Sequence, residues 1–213
     1  MGRRALRKID PTLDLADYYR EITLESPRPD LGALLDGSAL LEVEVGCGKG
    51  LFLQNAAENL AERSFLGIEV SPKYARFAAA RLAKRRITNG CVLCGDALGV
   101  FRSLLLDESV VAVHVYFPDP WWKKRHHKRR VMNAEFVRHV QRVLRPQGRL
   151  HFWTDVEEYF LATRELVSAT TELEGPFEVC ERVAEHDLDY QTHFERRVRK
   201  QGLPVYRAEF RKK

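Results

Sequence analysis

The stretch Leu40-Leu41-Glu42-Val43-Glu44-Val45-Gly46-Cys47-Gly48-Lys49-Gly50 decides the fold. Its first six residues predict a β-strand, because aliphatic side chains recur through them. Glycine then occupies every second position from 46 to 50, and residues 51–62 have the pattern of a helix. A strand, a glycine turn and a helix bring backbone amides and a helix N-terminus against a ligand, since only glycine lets the main chain approach closely. The stretch therefore predicts an α/β fold with a ligand site at the turn.

The rest of the chain repeats this alternation of strand and helix, which predicts a mostly parallel, Rossmann-like sheet. Two later apolar stretches, 177–183 and 205–210, are expected to pair as a C-terminal antiparallel hairpin, which gives seven strands in all. The other strands are expected at residues 64–69, 91–94, 110–117 and 149–154, and the helices at 72–86, 133–144 and 155–170.

The length of 213 residues and the 45% hydrophobic content suit one domain with one sizeable core, which we place at residues 37–213. Residues 1–36 mix charge with proline and are expected to form a basic N-terminal arm with one short helix near residues 14–20. Such an arm is either a solvated tail or a segment that contacts RNA.

Acidic residues stand at the ends of the five predicted parallel strands, which share one edge of such a sheet, where ligands bind. Glu69 follows Gly50 by 19 residues, the separation at which an acid on the second strand takes the hydroxyls of an adenosine ribose. The five acids are Glu44, Glu69, Asp96, Asp119 and Asp155.

The glycine turn differs from the dinucleotide pattern G-x-G-x-x-G, because its third glycine comes one residue early. Glu44, just before the turn, would repel a pyrophosphate but can pair with a cationic amino-acid group. Together with Glu69 and Gly95-Asp96, these features resemble the class I S-adenosylmethionine-dependent methyltransferases. The resemblance implies S-adenosyl-L-methionine as cofactor, with Gly46, Gly48 and Gly50 beside its methionine part, Glu69 on the ribose and Asp96 on the adenine. A nicotinamide-binding Rossmann fold is the alternative.

A basic and aromatic strip, residues 121–130, follows Pro118-Asp119-Pro120 at the end of the fourth strand. It holds six of the 35 Lys and Arg residues, and without these six the chain has 29 basic residues against 30 acidic ones. The positive charge is therefore local, which favours a phosphate-binding patch over a uniformly basic surface. The alternatives are a merely charged surface, one tryptophan packed on the core, and His126 and His127 as metal ligands.

The run at residues 117–130 resembles the signature of the bacterial tRNA (guanine-N7)-methyltransferase family, as do Thr154-Asp155-x-Glu157 and Thr192-His193-Phe194-Glu195. The resemblance covers residues 44–210, and His193 departs from it, because the family usually has lysine there. It implies methylation of a guanine in the tRNA variable loop, position 46, without a metal. It also implies that Asp119 belongs to the cofactor site, that Lys123, Asp155, Thr192, His193, Phe194 and Glu195 hold the guanosine, and that the tRNA backbone is bound by Arg125, His126, His127, Lys128, Arg129 and Arg130.

The chemistry of guanine N7 limits what the acids need to do. N7 carries a lone pair and no proton, so methyl transfer to it requires no general base. Holding the reactants in near-attack geometry and stabilising the cationic product then dominate. We expect Asp119 to be the central catalytic residue, with Asp155 and Glu195 as partners for the guanine N1–H and amino group.

Other classes of protein fit the sequence less well. No apolar run approaches a membrane span, and four cysteines suit a reducing compartment, so we expect a cytoplasmic protein. Its oligomeric state, monomer or homodimer, does not follow from the sequence. Cys91 and Cys94 have zinc-like spacing but lack a second pair. Two competing functions stay open: a non-catalytic RNA-binding protein on this fold, and a methyltransferase of small molecules or proteins.

Overall fold

An eight-stranded sheet runs through the part of the chain that the computed structural model describes, residues 6–22, 40–181, 186 and 190–213. The strands are β1 (Tyr19–Glu21), β2 (Leu41–Val45), β3 (Ser64–Glu69), β4 (Gly90–Cys94), β5 (Val110–Tyr116), β6 (Leu144–Thr154), β7 (Glu174–Phe177) and β8 (Tyr206–Arg211). The helices are α1 (Leu51–Asn59), α2 (Pro72–Arg85), α3 (Ala97–Ser103), α4 (Ala134–Val143), α5 (Glu157–Thr170) and α6 (His193–Lys200), and a 3-10 helix spans Lys124–Arg129.

The order of the strands across the sheet is β1-β4-β3-β2-β5-β6-β8-β7. All pairs from β1 to β6 are parallel, and β8 is antiparallel to both β6 and β7. The carboxyl ends of β2 to β6 therefore lie along one edge. This order confirms the prediction of a Rossmann-like, mostly parallel sheet that ends in antiparallel strands.

Apolar side chains cover both faces of the sheet, as a parallel sheet requires. On one face, Phe136 of α4 and Tyr159 of α5 pack against the valines and leucines of the central strands. On the other face, Leu53 of α1 and Leu82 of α2 pack against β3 and β4. Cys91 belongs to the first cluster and Cys94 to the second, so their thiols lie on opposite faces of β4.

The prediction of a helix near residues 14–20 was wrong, because the structure has turns followed by β1 in this segment. Tyr19 pairs with Val92 of β4, and the Ile22 amide donates a hydrogen bond to the Cys94 carbonyl at 2.8 Å. A strand of three residues is fixed by this distant partner and leaves no periodic pattern of its own. β1 raises the number of strands from the expected seven to eight. Residues 1–5 and 23–36 of the predicted arm lie outside the described residues.

Four other elements differ from the sequence-based prediction. Strand β6 begins at Leu144, five residues before the predicted start. The hairpin exists, but its first strand is β7 at Glu174–Phe177 and not residues 177–183, of which 182 and 183 lie outside the described residues. The short helix α3 was not predicted, and its start is fixed by the side chain of Asp96. The segment between the two hairpin strands contains α6, which was not predicted.

Candidate functional site

The glycine turn between β2 and α1 uses the conformational freedom of glycine at three positions. Gly46, Gly48 and Gly50 have φ angles of +74°, +54° and +67°, a region that other residues rarely adopt. A Cβ on Gly50 would lie 2.8 Å from the Cβ of Ala78 on α2, so this position also needs glycine for close packing. A Cβ on Gly46 would meet nothing within 4 Å. The turn therefore packs closely against α2 at Gly50, whereas the space outside Gly46 is open.

Glu69 at the end of β3 fastens this turn to the sheet. Its carboxylate accepts hydrogen bonds from the Gly48 amide at 3.0 Å and from the Ser71 amide at 2.8 Å. The side chain is half-buried, and an ionised carboxylate has about four acceptor positions. Glu69 can therefore hold the turn and still accept hydrogen bonds from the hydroxyl groups of a ligand.

Glu44 lies one residue inside β2 and is 3% exposed. Its Oε2 atom has no hydrogen-bond partner among the described residues. Burial raises the pKa of this carboxyl well above its usual range, the charge of Glu69 raises it further, and a hydrogen bond from the Leu53 backbone opposes both. A buried acceptor without a partner is costly, and a cation at this place would remove that cost. Glu44 thus fits the ammonium group of an amino-acid ligand.

Asp96 follows β4, which pairs with β3 in the sheet, and its side chain is exposed. Its Oδ2 accepts a hydrogen bond from the Gly99 amide at 2.8 Å and caps α3, so the carboxylate is held in one orientation. The preceding Gly95 donates its amide to the Glu69 carbonyl at 3.1 Å, which ties the ends of β3 and β4 together. Val70, directly after Glu69, is 73% exposed and was missed from the sequence. An apolar residue that follows a strand-end acid was the available signal.

The tip after β5 has an unusual backbone on both sides of its two prolines. Phe117 has a φ angle of +50° and Trp121 one of +46°, although neither is glycine. Residues held in this region store strain and cluster at functional sites. The Phe117 amide donates a hydrogen bond to the Trp153 carbonyl at 2.8 Å, which anchors the tip to β6. Asp119, between the prolines, is exposed at the sheet edge.

The strip forms the 3-10 helix and the residues around it. Trp122 is 70% exposed, whereas Trp121 is half-buried and packs against the Arg129 guanidinium at 5.0 Å and the His126 ring at 5.9 Å. The outward-facing members of the strip are Lys123, Arg125, Lys128 and Arg129, and the half-buried ones are His126, His127 and Arg130. These four cations and the Trp122 indole therefore face solvent, in the segment that follows Asp119.

Thr192 and Glu195 form a capping box at the start of α6. The Glu195 amide donates to Thr192 Oγ1 at 2.9 Å, and the Gln191 amide donates to Glu195 Oε2 at 2.7 Å. Glu195 is 2% exposed, and its Oε1 also accepts from Arg199 at 3.4 Å and from Arg207 of β8 at 3.3 Å. Its carboxylate is thus engaged on both oxygens inside the protein. The spacing Thr-x-x-Glu was the sequence signal for this cap.

The same box brings two further residues to the site. The Phe194 ring lies 5.0 Å from the Phe117 ring, so α6 begins beside the tip of β5. His193 Nε2 lies 3.1 Å from an Nη2 atom of Arg81 on α2. Asp155, at the end of β6, is half-buried on the same edge of the sheet. The structure therefore brings together along one edge the residues that the sequence predicted.

A cavity beside this edge is lined in part by Gln191 and Glu195. It has a volume of about 520 Å³ and lies on the α1 face of the sheet, where His114 binds Glu42 at 2.8 Å and stacks on His151 at 4.8 Å. None of Glu44, Glu69, Asp96, Asp119 and Asp155 lines it. We therefore place the candidate site at the open sheet edge.

None of the described helices is both long enough and apolar enough to span a bilayer. All four cysteines are free: Cys47, Cys91 and Cys94 are buried, and Cys180 is exposed.

Known proteins resemble this chain in sequence and in fold. A family model described as a putative methyltransferase matches residues 38–208. A tRNA (guanine-N(7)-)-methyltransferase of Rhodopirellula baltica is 48% identical over 225 aligned residues, which cover 100% of this chain and 81% of that protein. The protein of the same name from Aliivibrio fischeri is 36% identical over 170 residues, 80% of this chain and 71% of that protein.

Two solved structures show the same fold at low identity. The aminoglycoside resistance methyltransferase NpmB1 superposes with a TM-score of 0.56 at 16% identity and covers 82% of this chain and 87% of its own. A SAM-dependent methyltransferase from Aquifex aeolicus has a TM-score of 0.54 at 14% identity, with 82% of both chains covered.

Proposed function

The chain belongs to the family of tRNA (guanine-N7)-methyltransferases, and we propose that it methylates the guanine at position 46 of the tRNA variable loop. The methyl donor is S-adenosyl-L-methionine, and the product is 7-methylguanosine in tRNA. One observation carries the proposal: the strained tip with Asp119 joins the acidic edge of the sheet to the basic aromatic strip without a break.

The residues at the carboxyl ends of β2, β3 and β4 fit the cofactor. Glu44 offers a buried carboxylate oxygen to the ammonium group, and the open outer side of Gly46 leaves room for the methionine part. Glu69 has acceptor positions left for the ribose hydroxyls. We assign the adenine end to Asp96 and to the exposed side chain of Val70, which would pack on the ring. When bound, the cofactor supplies an electrophilic methyl group on a sulfonium.

The protein contributes position and electrostatics to the transfer. Guanine N7 attacks through its lone pair, so no proton has to be removed. The purine becomes cationic, and the Asp119 carboxylate beside it stabilises the developing charge. The two prolines and the anchored Phe117 amide hold Asp119 still, which favours the near-attack geometry.

The tRNA is held on the other side of this tip. Arg125, Lys128 and Arg129 bind phosphates, and Trp122 offers a stacking surface to an exposed base. Lys123 holds the target guanosine. Asp155 and the exposed parts of residues 192–195 contact the guanosine. Because the Glu195 carboxylate is engaged by Gln191, Arg199 and Arg207, its role is to hold this segment in place.

The deciding experiment supplies the protein with methyl-labelled cofactor and unmodified tRNA, followed by digestion to nucleosides. Label should appear in 7-methylguanosine only. A matched tRNA with adenine in place of guanine at position 46 should accept no label. Label in another nucleoside, or full labelling of the adenine-containing tRNA, would refute the proposal. Salt-sensitive tRNA binding without any cofactor affinity would instead indicate a non-catalytic RNA-binding protein.

Two further parts of the proposal concern the surroundings of the enzyme. We propose that it acts in the cytoplasm, where its free thiols would stay reduced. We also propose that it works as a monomer or as a homodimer, which sedimentation analysis of the purified protein would decide.

A further inference from the structure

Arg130 differs from Lys123, Arg125, Lys128 and Arg129 of the strip, because its side chain turns inward. We infer that Arg130 positions the tip that carries Asp119 and does not bind a tRNA phosphate. This role rests on the proposed function, since it concerns the placement of the reacting groups. Arg130 is half-buried, whereas Arg125, Lys128 and Arg129 are exposed.

The Arg130 side chain bridges the tip and the rigid core. Its Nε donates a hydrogen bond to the Pro120 carbonyl at 2.7 Å. Its guanidinium carbon lies 4.6 Å from the centre of the Tyr159 ring, in cation–π geometry. Tyr159 is 1% exposed, and its hydroxyl accepts a hydrogen bond from the Met132 amide at 3.4 Å. The guanidinium is thus held between a buried ring and the residue that follows Asp119.

The backbone of Arg130 is fixed as well. Its amide donates to the His127 carbonyl at 2.9 Å, and its carbonyl accepts from the Asn133 side chain at 3.2 Å. Asn133 also caps α4, because its Oδ1 accepts from the Phe136 amide at 3.0 Å. The backbone of Arg130 is therefore anchored beside the start of α4, so its side chain can hold the Pro120 carbonyl in place.

The backbone of the tip is strained and forms few hydrogen bonds of its own, so a side chain that anchors it would stabilise its conformation. Phe117 and Trp121 hold it in an unfavourable backbone region on both sides. Pro118 and Pro120 have no amide hydrogens, so neither can donate a backbone hydrogen bond. The Phe117 amide secures one end of the tip to β6, and the bond from Arg130 to the Pro120 carbonyl secures the other. Without the second bond, Asp119 would be free to shift relative to the acidic edge.

A positioning role and a phosphate-binding role predict different kinetics. A displacement of about 1 Å at a reacting group can cost about 100-fold in rate. Arg130→Lys keeps the positive charge but loses the planar group that donates to Pro120 while it stacks on Tyr159. We therefore expect Arg130→Lys and Arg130→Ala to lower kcat by about 10- to 100-fold, with KM for tRNA changed less than threefold. A phosphate contact would instead tolerate lysine.

Arg125→Ala and Arg125→Lys are the matched controls, because Arg125 is an exposed arginine of the same strip. Arg125→Ala should act mainly on KM and should lower the slope of log affinity against log salt concentration by about one. Arg130→Ala should leave that slope unchanged. The salt slope and circular dichroism of each variant are measured on the same preparations, so a folding defect is recognised.

Hydrogen exchange supplies a readout that does not depend on turnover. The amides of Phe117, Asp119 and Trp121 should exchange faster in both Arg130 variants and at the wild-type rate in both Arg125 variants. If the wild type makes no 7-methylguanosine, the proposed function fails, and exchange with the salt slope still decides the role of Arg130. Unchanged exchange at the tip, or a full kcat in Arg130→Lys with a reduced salt slope in Arg130→Ala, would overturn the inference.

Discussion

The two halves of the site are built in different ways. The cofactor half comprises the glycine turn, Glu44, Glu69 and Asp96, and it is held together mainly by backbone amides that donate to carboxylates. The substrate half comprises residues 117–130, Asp155 and residues 192–195, and it is held together mainly by aromatic rings and arginines.

This difference has a consequence for how each half tolerates change. A substitution removes a backbone amide hydrogen only when it introduces proline, so the cofactor half depends mainly on its glycines and on its three acids. Each contact in the substrate half depends on a particular side chain, often from a distant part of the chain: Arg207 of β8 holds Glu195, and Arg130 holds Pro120. Single substitutions should therefore separate binding, turnover and stability more cleanly in the substrate half.

The largest effect is expected for Asp119→Ala. Removal of the carboxylate should lower kcat by about 1,000-fold, because a preorganised group at the developing charge is lost. The dissociation constant for tRNA should change by less than about threefold, since the strip supplies most of the attraction to phosphate. Single-turnover rates and tRNA binding at one salt concentration measure both quantities. An equal loss of rate and affinity would contradict the division between the tip and the strip.

The strands and helices that carry the cofactor half could be predicted from the sequence, whereas the contacts of its residues with the cofactor stay a prediction. Its strand, glycine turn and helix are contiguous, and Glu69 and Asp96 close the next two strands, so local patterns were sufficient. The separate roles within the substrate half could not be predicted. The inward turn of Arg130 depends on Tyr159, and the burial of Glu195 depends on Arg207, and no spacing in the sequence reveals such non-local contacts.

The parts of the fold that sequence reasoning missed have the same cause. β1 is a strand only because β4 offers it an edge, and the start of β7 is fixed by its pairing with β8. Helix α6 has its own signal in Thr192 and Glu195, but these residues had been assigned to the substrate. A residue pattern can serve structure and function at once, and only the contacts distinguish the two.

Replacement of Glu195 by alanine should have the second largest effect. It would leave Arg207, whose side chain is 7% exposed, with the exposed Glu181 in place of a buried carboxylate partner. We expect the free energy of unfolding to fall by about 3 kcal/mol, as for other broken buried ion pairs. Thr192→Ala, which removes only the cap, should cost about 1 kcal/mol. Urea unfolding measures both, and equal costs would show that the arginine pairs of Glu195 add nothing to the stability that the cap provides.

Glu44→Gln should have a smaller effect. The substitution should stabilise the ligand-free protein at neutral pH and weaken the stabilisation that a bound ligand provides. Because burial raises the pKa of Glu44, its contribution to folding is fully present below the ordinary pKa of 4.5 and is lost as pH rises through the raised value. The variant lacks this titration, so without ligand it should become the more stable protein as pH rises from 4 to 8. With S-adenosylhomocysteine, which carries the ammonium group, the wild type should gain about 2 kcal/mol more than the variant.

Thermal unfolding across this pH range, with and without S-adenosylhomocysteine, tests both signs in one series. Asp96→Asn is a suitable control for the series without ligand, because Asp96 is exposed and its amide counterpart can still cap α3. A Glu44→Gln protein with the pH dependence of the wild type would show that Glu44 is not the buried group that titrates.

The smallest effect is expected for His193→Lys, which restores the residue that the family usually has. The Nε2 atom of His193 lies 3.1 Å from the Arg81 guanidinium, and burial lowers the pKa of Arg81. A lysine ammonium at this place would face a second cation, so we expect a loss of about 1 kcal/mol in the free energy of unfolding. The double variant His193→Lys/Arg81→Gln removes one of the two charges and should recover most of that loss. A double-mutant cycle measures the coupling free energy between positions 81 and 193. Additive effects would contradict an energetic contact between α2 and α6 at these positions.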